Sequence, residues 1–328
     1  MSRQPLLIVD DEPQYLTMMR QILSAEYSLV FARSGEDALA ATLAHRPRLI
    51  LLDIQMPDMN GYEVCRQLKV NPETESIPVI FVTVLNDKDN EATGFSCGAV
   101  DYISKPFSPA IVLARVRTHL SLVRAIDLEN SYRDAINMLG LAGHYSDSNT
   151  GDHIWRMAAY AQALAEAFGW DEEDSKLLAM AASMHDTGKI GIPGEVLRKP
   201  ASLTRDEWEV MKTHTLIGYD ILSKSDAPLF RLAADIALHH HENWDGSGYP
   251  HGLAGEAIPE AARIVAVADV FDALTMRRPY KQAWPVEMAM TQMHALAGNQ
   301  LEARLVTLFE SILPQILQIK SRHLEPAN

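Results

Sequence analysis

Residues 49–61 read LILLDIQMPDMNG. Four apolar residues, Leu49 to Leu52, run without polar alternation into Asp53. Asp58-Met59-Asn60-Gly61 then makes a turn, and Val64 and Leu68 fall at helical spacing beyond it. A strand with no polar face is one covered on both sides, the condition of a parallel sheet between helices. The pattern repeats outward from this segment. Residues 6–9 are apolar and end in Asp10-Asp11-Glu12, followed by Leu16, Met19, Ile22 and Leu23 at helical spacing. Residues 28–31, 79–84 and 100–103 read as further strands, and residues 38–43 as a helix. The repeat predicts an α/β domain with a doubly wound, parallel, five-stranded sheet, whose sites form beyond the C-terminal strand ends.

Polar residues stand at those ends. Asp10 and Asp11 follow the first strand, Asp53 ends the third, Thr83 lies near the end of the fourth, and Lys105 follows the fifth, just before Pro106. Clustered carboxylates repel unless a cation joins them, and an all-oxygen set suits Mg²⁺. A lysine and a hydroxyl opposite them can hold a phosphoryl group.

The chain has 328 residues, about two domains' worth at ~150 residues each. Its 29 basic and 43 acidic residues leave a net charge of −14, which excludes a general affinity for nucleic-acid polymers. The longest near-apolar stretch, residues 77–85, is far short of the ~20 that a membrane span needs. The N-terminus runs into acid after a short apolar run and does not read as a secretory signal. Two cysteines, Cys65 and Cys97, make no disulfide framework, and a cytoplasmic location fits.

No glycine or proline interrupts residues 110–139, so the last helix of the first domain is expected to run on as a linking helix, with self-pairing into a dimer as one outcome. Beyond it the pattern is helical, with Asp171 and Thr204 as N-caps and one long Gly- and Pro-containing loop, 242–259. Ten of the twelve histidines lie in this half. His153, His185-Asp186, His214, His240-His241 and Asp269 recur at intervals of 26–32 residues, about one helical hairpin each. Successive helices can direct such residues into one interior pocket, as di-metal bundles do. Five imidazoles and two carboxylates without a thiolate suit Fe, Mn, Ni or Zn. Lys189 falls four residues after His185, on the same face if the segment is α-helical.

The strings IVDDEP, LLDIQMPDMNGYEV, PVIFVT and GAVDYISKPF make residues 5–122 resemble a two-component receiver domain, a flavodoxin-like fold. The resemblance implies that Asp53 accepts phosphate from a cognate histidine kinase. It implies Mg²⁺ at Asp10, Asp11, Asp53 and the Gln55 carbonyl, phosphoryl contacts from Thr83 and Lys105, an aromatic switch at Tyr102, and a cis Lys105-Pro106 bond. The strings HDTGKIGIP, LTRDEWEVMKTHTLIGYDIL, HHENWDGSGYPHGLAGEAIP, ARIVAVADVFDAL and RRPYKQAW make residues 140–313 resemble the HD-GYP family of cyclic di-GMP phosphodiesterases. That resemblance implies two divalent metals held by His153, His185, Asp186, His214, His240, His241 and Asp269, with Asp186 bridging. Lys189 and Asp186 would be catalytic. Lys189, Arg278, Lys281 and Tyr249 would contact the substrate, and His239 would be a bystander.

The expected organisation is a receiver at 1–122, a linking helix at 123–139 and an all-α HD-type phosphodiesterase domain at 140–328. The expected function is phosphorylation-regulated hydrolysis of cyclic di-GMP to pGpG, and more slowly to GMP, by a homodimer. Two other readings compete: a non-catalytic receiver-controlled adaptor, and a phosphodiesterase for another dinucleotide. Two departures from the family pattern stand out. Asn149 occupies the place of a third-metal glutamate, and AGNQLEARLV (297–306) replaces a His-Phe-Asp-Pro-like stretch, which is expected to loosen a structural contact.

Overall fold

The computed structural model describes residues 4–84, 96–144, 152–276 and 283–322. The chain divides into two compact units, 1–130 and 131–328.

In the first unit, β1 (Leu6–Val9), β2 (Leu29–Ala32), β3 (Leu49–Asp53), β4 (Val79–Thr83) and β5 (Asp101–Ser104) form one parallel sheet in the order β2-β1-β3-β4-β5. The connections described include α1 (Pro13–Leu23), α2 (Gly35–His45) and α3 (Gly61–Val70). Side-chain alternation explains the unbroken apolar runs. Leu7, Val9, Ile50, Leu52, Val79 and Phe81 fill the core on one face, while Leu6, Ile8, Leu49, Leu51, Ile80 and Val82 fill the other. Each such buried side chain contributes about 1.5–3 kcal/mol.

The register positions the site. Val9 pairs with Leu52 across the β1/β3 switch point, which sets Asp10 level with Asp53. Thr83 pairs with Ser104, so Lys105 follows just beyond the end of β4. Gly61 opens α3 directly over β3, where a Cβ would strike the Asp53 carbonyl and come within 2.9 Å of the Ile54 Cα. Asn60 and Glu63 close the N-terminus of α3 with a reciprocal capping box.

The next helix, α4 (Pro109–His144), is continuous over 36 residues. Its later part belongs to the second unit, where Ile136 joins the core. The rest of that unit is helical: α5 (Asp152–Phe168), α6 (Glu172–Ala182), a 3₁₀ turn (Thr187–Gly191), the short α7 (Gly194–Leu197), α8 (Arg205–Lys212), α9 (His214–Leu222), α10 (Pro228–His239), α11 (Glu260–Thr275), α12 (Val286–Leu296), α13 (Ala303–Ser311) and α14 (Leu313–Arg322). Asp171 and Thr204 are the N-caps of α6 and α8, accepting from the backbone N–H of Asp174 and Glu207. Small residues (Ala161, Ala181, Ala237 and Ala268) alternate with Met157, Leu178, Ile264 and Phe271 in the core, which lets the helices pack closely.

The 297–306 stretch meets the loop that follows α10. The Asn299 and Gln300 carbonyls accept from the backbone N–H of Asp245 and Trp244 at 2.8 and 3.1 Å, and Glu302 pairs with Arg263.

Candidate functional site

The receiver pocket gathers Asp10, Asp11 and Asp53, each offering an oxygen within 4.8 Å of the others'. Lys105 spans it, its Nζ 2.7 Å from Asp10 Oδ2 and 2.9 Å from Asp53 Oδ2, with the Tyr15 ring face 3.9 Å away. Burial pushes the Asp10 and Asp53 carboxyls above their ordinary range, and Lys105 opposes the shift. Burial also works against the Lys105 ammonium, but the two carboxylates outweigh it and raise its pKa. This arrangement of three close oxygens fits a hard divalent cation. Gln55 borders it, its N–H donating to Asp53 Oδ1 at 3.4 Å. Thr83 is buried at the end of β4, and Tyr102 is half-buried in β5 beside Arg115. The Lys105-Pro106 bond is cis, as is Tyr249-Pro250.

The second unit gathers two sets of ligand-bearing residues. One is Asp186, His214, His240 and His241; the other is His153, His185 and Asp269. His153 and Asp269 sit on α5 and α11. The remainder lie at helix ends: His185-Asp186 beyond α6, His214 at the start of α9, and His240-His241 beyond α10. Neighbours on an α-helix point about 100° apart, so adjacent residues reach one centre only where the helix stops.

Asp186 faces both sets. Its Oδ1 lies 3.4 Å from His214 Nε2 and 3.9 Å from His240 Nε2, while its Oδ2 lies 3.2 Å from His185 Nε2. The rings are oriented from behind. His185 Nδ1 is 2.9 Å from the Ala182 carbonyl, His214 Nδ1 is 2.8 Å from that of Met211, and His240 Nδ1 is 3.1 Å from those of Ile236 and Ala237. A proton on each Nδ1 satisfies these contacts and, in His214 and His240, leaves the Nε2 lone pairs facing inward. His214 Nε2 and His240 Nε2 are buried with no hydrogen-bond partner, the state expected of atoms built to ligate. Burial lowers the pKa of His214, lowers that of His240 far, and takes His241 down to about 4; neighbouring imidazoles depress His240 and His241 further. Neutral imidazoles and carboxylates of this kind fit first-row divalent ions.

Lys189 departs from the expected geometry. The segment after Asp186 is 3₁₀ rather than α-helical, and Lys189 Nζ reaches Asp186 Oδ2 at 2.7 Å. The tight turn passes so close to α9 that a Cβ on Gly188 would overlap the His214 carbonyl. Tyr249 stacks on His241, centroids 4.8 Å apart at 28°, and meets His214 edge-on. It therefore walls the ligand set itself, and Trp208 lies beyond it at 6.3 Å. His239 lies outside both sets, its Nδ1 at the Asp235 carbonyl. Asn149, Arg278 and Lys281 lie outside the described residues.

Sequence reasoning missed Asp272, Arg156 and Glu242. Asp272 is fully buried against His153 Nδ1 and Arg156. Its signal was a second carboxylate, three residues after Asp269, in a stretch (264–274) that is otherwise apolar. Glu242 accepts from the backbone N–H of His251 and Leu253 at 2.7 and 3.0 Å, holding the 242–253 loop closed on itself.

A parallel sheet ending in a carboxylate–lysine pocket, followed by a helical unit with a histidine–aspartate centre, defines a response regulator with a metal-type output domain. Residues 6–117 match the response regulator receiver domain and residues 132–305 the HD domain. The chain is 40% identical to the cyclic di-GMP phosphodiesterase response regulator RpfG of Xanthomonas campestris, over 92% of this chain and 85% of that one. It is 38% identical to a probable cyclic di-GMP phosphodiesterase of Vibrio cholerae, over 94% and 78%. It is also 37% identical to the 3'3'-cGAMP-specific phosphodiesterase 2 of Vibrio cholerae, over 60% of this chain and 38% of that one. The chain belongs to the receiver–HD family of cyclic di-GMP phosphodiesterase response regulators. Among the described residues no helix is long and apolar enough to cross a membrane.

Proposed function

We propose that this chain hydrolyses cyclic di-GMP to pGpG at a binuclear metal site, under control of phosphorylation at Asp53 by a histidine kinase. The observation that carries the catalytic reading is the division of Asp186, with one oxygen toward His214 and His240 and the other toward His185. A carboxylate so placed can join two cations. Divalent ions bound there would supply Lewis acidity and a water of lowered pKa.

The residues supply the rest. His153, His185 and Asp269 would hold one ion, His214, His240 and His241 the other, with Asp186 shared. The carbonyl anchors of His185, His214 and His240 keep those three rings oriented without reorganisation. Lys189, beside Asp186, would offset the charge that gathers on the phosphoryl oxygens as water adds to phosphorus. The P–O3′ bond then breaks and the ring opens to the linear dinucleotide. Tyr249 would border the substrate from its place over His241, and Arg278 and Lys281 would grip phosphates. In the receiver, Asp10, Asp11, Asp53 and Gln55 would hold Mg²⁺, Thr83 and Lys105 would contact the phosphoryl group, and Tyr102 would switch. The α4 helix would carry the signal and pair with a second copy.

The test is metal-reconstituted full-length protein incubated with cyclic di-GMP, with products resolved by chromatography, with and without a phosphoryl mimic. Formation of pGpG that disappears in Asp186→Ala supports the reading; no turnover with any first-row metal overturns it. The likeness to a 3'3'-cGAMP-specific enzyme favours running 3'3'-cGAMP in parallel, and faster cleavage of it would reassign the substrate.

A further inference from the structure

Two helices, α5 and α11, face each other with a repeated pair of residues. His153 and Arg156 lie three apart on α5; Asp269 and Asp272 lie three apart on α11. At one level His153 Nε2 lies 3.8 Å from Asp269 Oδ1, on the ligand side. One turn behind, Arg156 Nε donates to Asp272 Oδ1 at 3.0 Å and its terminal nitrogen approaches Oδ2 at 3.4 Å. Asp272 Oδ2 also meets His153 Nδ1. Asp272 is 0% exposed and Arg156 1%.

The backing of His153 is thus unlike that of the other anchored rings. His185, His214 and His240 have their Nδ1 atoms at neutral backbone carbonyls. His153 has a carboxylate there, itself clamped by a buried guanidinium. We infer that Asp272 is a positioning residue for His153, fixing its proton on Nδ1 and making it a stronger ligand than the carbonyl-backed rings, so that the two ligand sets are unequal. The physical ground is that a carboxylate behind a ligating imidazole raises its basicity and locks its orientation, an effect worth 10–100-fold in metal affinity. Arg156 sets a buried cation against that carboxylate and fixes its position in the core.

The inference rests on the binuclear reading, and the experiment separates the two. Metal-free full-length protein is titrated with Mn²⁺, counting bound ions and fitting each affinity, for wild type and Asp272→Asn. The expected result is two ions in wild type. In the variant, one ion keeps its affinity and the other binds 10–100-fold more weakly. Because Asp272→Asn strands a buried arginine, Asp272→Asn/Arg156→Met is run beside it to remove both charges. In metal-free protein, ¹⁵N spectra should place the His153 proton on Nδ1 in wild type and spread it over both nitrogens in the variants. Fewer than two ions in wild type would overturn the binuclear reading itself. Two ions in wild type, with both affinities unchanged or both lowered together in the variants, would overturn the role given to Asp272.

Discussion

The ammonium of Lys105 lies 2.9 Å from the Asp53 carboxylate, closing a buried pair between the loop after β5 and the end of β3. A phosphoryl group on Asp53 would replace one carboxylate charge with a larger anion facing the same cation. Acetyl phosphate or a phosphorylated kinase should therefore label wild type and leave Asp53→Asn unlabelled. Equal labelling of the variant would place the acceptor elsewhere. Lys105→Ala should retain labelling, because Asp53 stays in place, while losing any effect of the label on hydrolysis.

Asp186→Ala removes both oxygens that face the two histidine sets. The remaining imidazoles carry no negative charge and cannot replace it, so turnover should be lost and bound metal should fall below two ions per chain. Metal analysis beside the assay checks both parts. Lys189→Ala should keep the metals and slow turnover about 10²–10³-fold, the usual effect of deleting one charge-stabilising donor.

Coupling between phosphorylation and hydrolysis requires a two-state element, and α4 is the continuous helix that enters the second unit. Two residues inserted after Leu122 would rotate everything downstream by about 200°. Hydrolysis should survive in that insert at the unphosphorylated rate and no longer respond to the phosphoryl mimic. A response equal to wild type would rule the helix out as conduit.

Asn149 stands four residues before His153 in sequence, at the position where a carboxylate would be needed to hold a third cation. The protein should bind two ions and release pGpG much faster than GMP. Asn149→Glu should raise the stoichiometry toward three and speed the second cut. Three ions in wild type would defeat the prediction; rapid GMP formation with two would leave the count standing and defeat the product argument.

Acid should weaken the metal-free protein. His214, His240 and His241 are held below the ordinary 6.5, His241 at about 4, so between those values the unfolded chain binds more protons than the folded one. Stability therefore falls as pH falls. His185 works the other way. Burial disfavours its charge, Asp186 more than offsets this, and the stability it adds is present below 6.5 and lost as pH rises through its elevated pKa. Three depressed rings outweigh one raised ring, so the urea midpoint should drop from pH 7 to pH 5.5, above the carboxylate range. Bound metal should steepen that dependence, because it keeps the rings unprotonated in the folded protein while the unfolded chain still takes up protons. A flat profile in the metal-free protein would contradict the depressed values.

Local pattern was enough for much of this protein. Unbroken apolar runs ending in Asp10, Asp53 and Thr83 announced a parallel sheet with its site at the strand ends, because side-chain alternation depends only on neighbours. The histidine and aspartate residues of the second half were visible by type and interval, and the N-caps Asp171 and Thr204 by their place before helical runs. Packing decided the rest. Spacing alone assigned no ligand to either set, and it put Lys189 on an α-helical face, whereas the chain turns 3₁₀ beneath α9 and brings the ammonium to Asp186. The pairing of Arg156 with Asp272 crosses 116 residues of sequence and arises because α5 and α11 meet. Periodicity fixes which side chains share a helix face; which faces then meet is set by packing between distant helices, and the division of Asp186 between its two histidine sets exists only there.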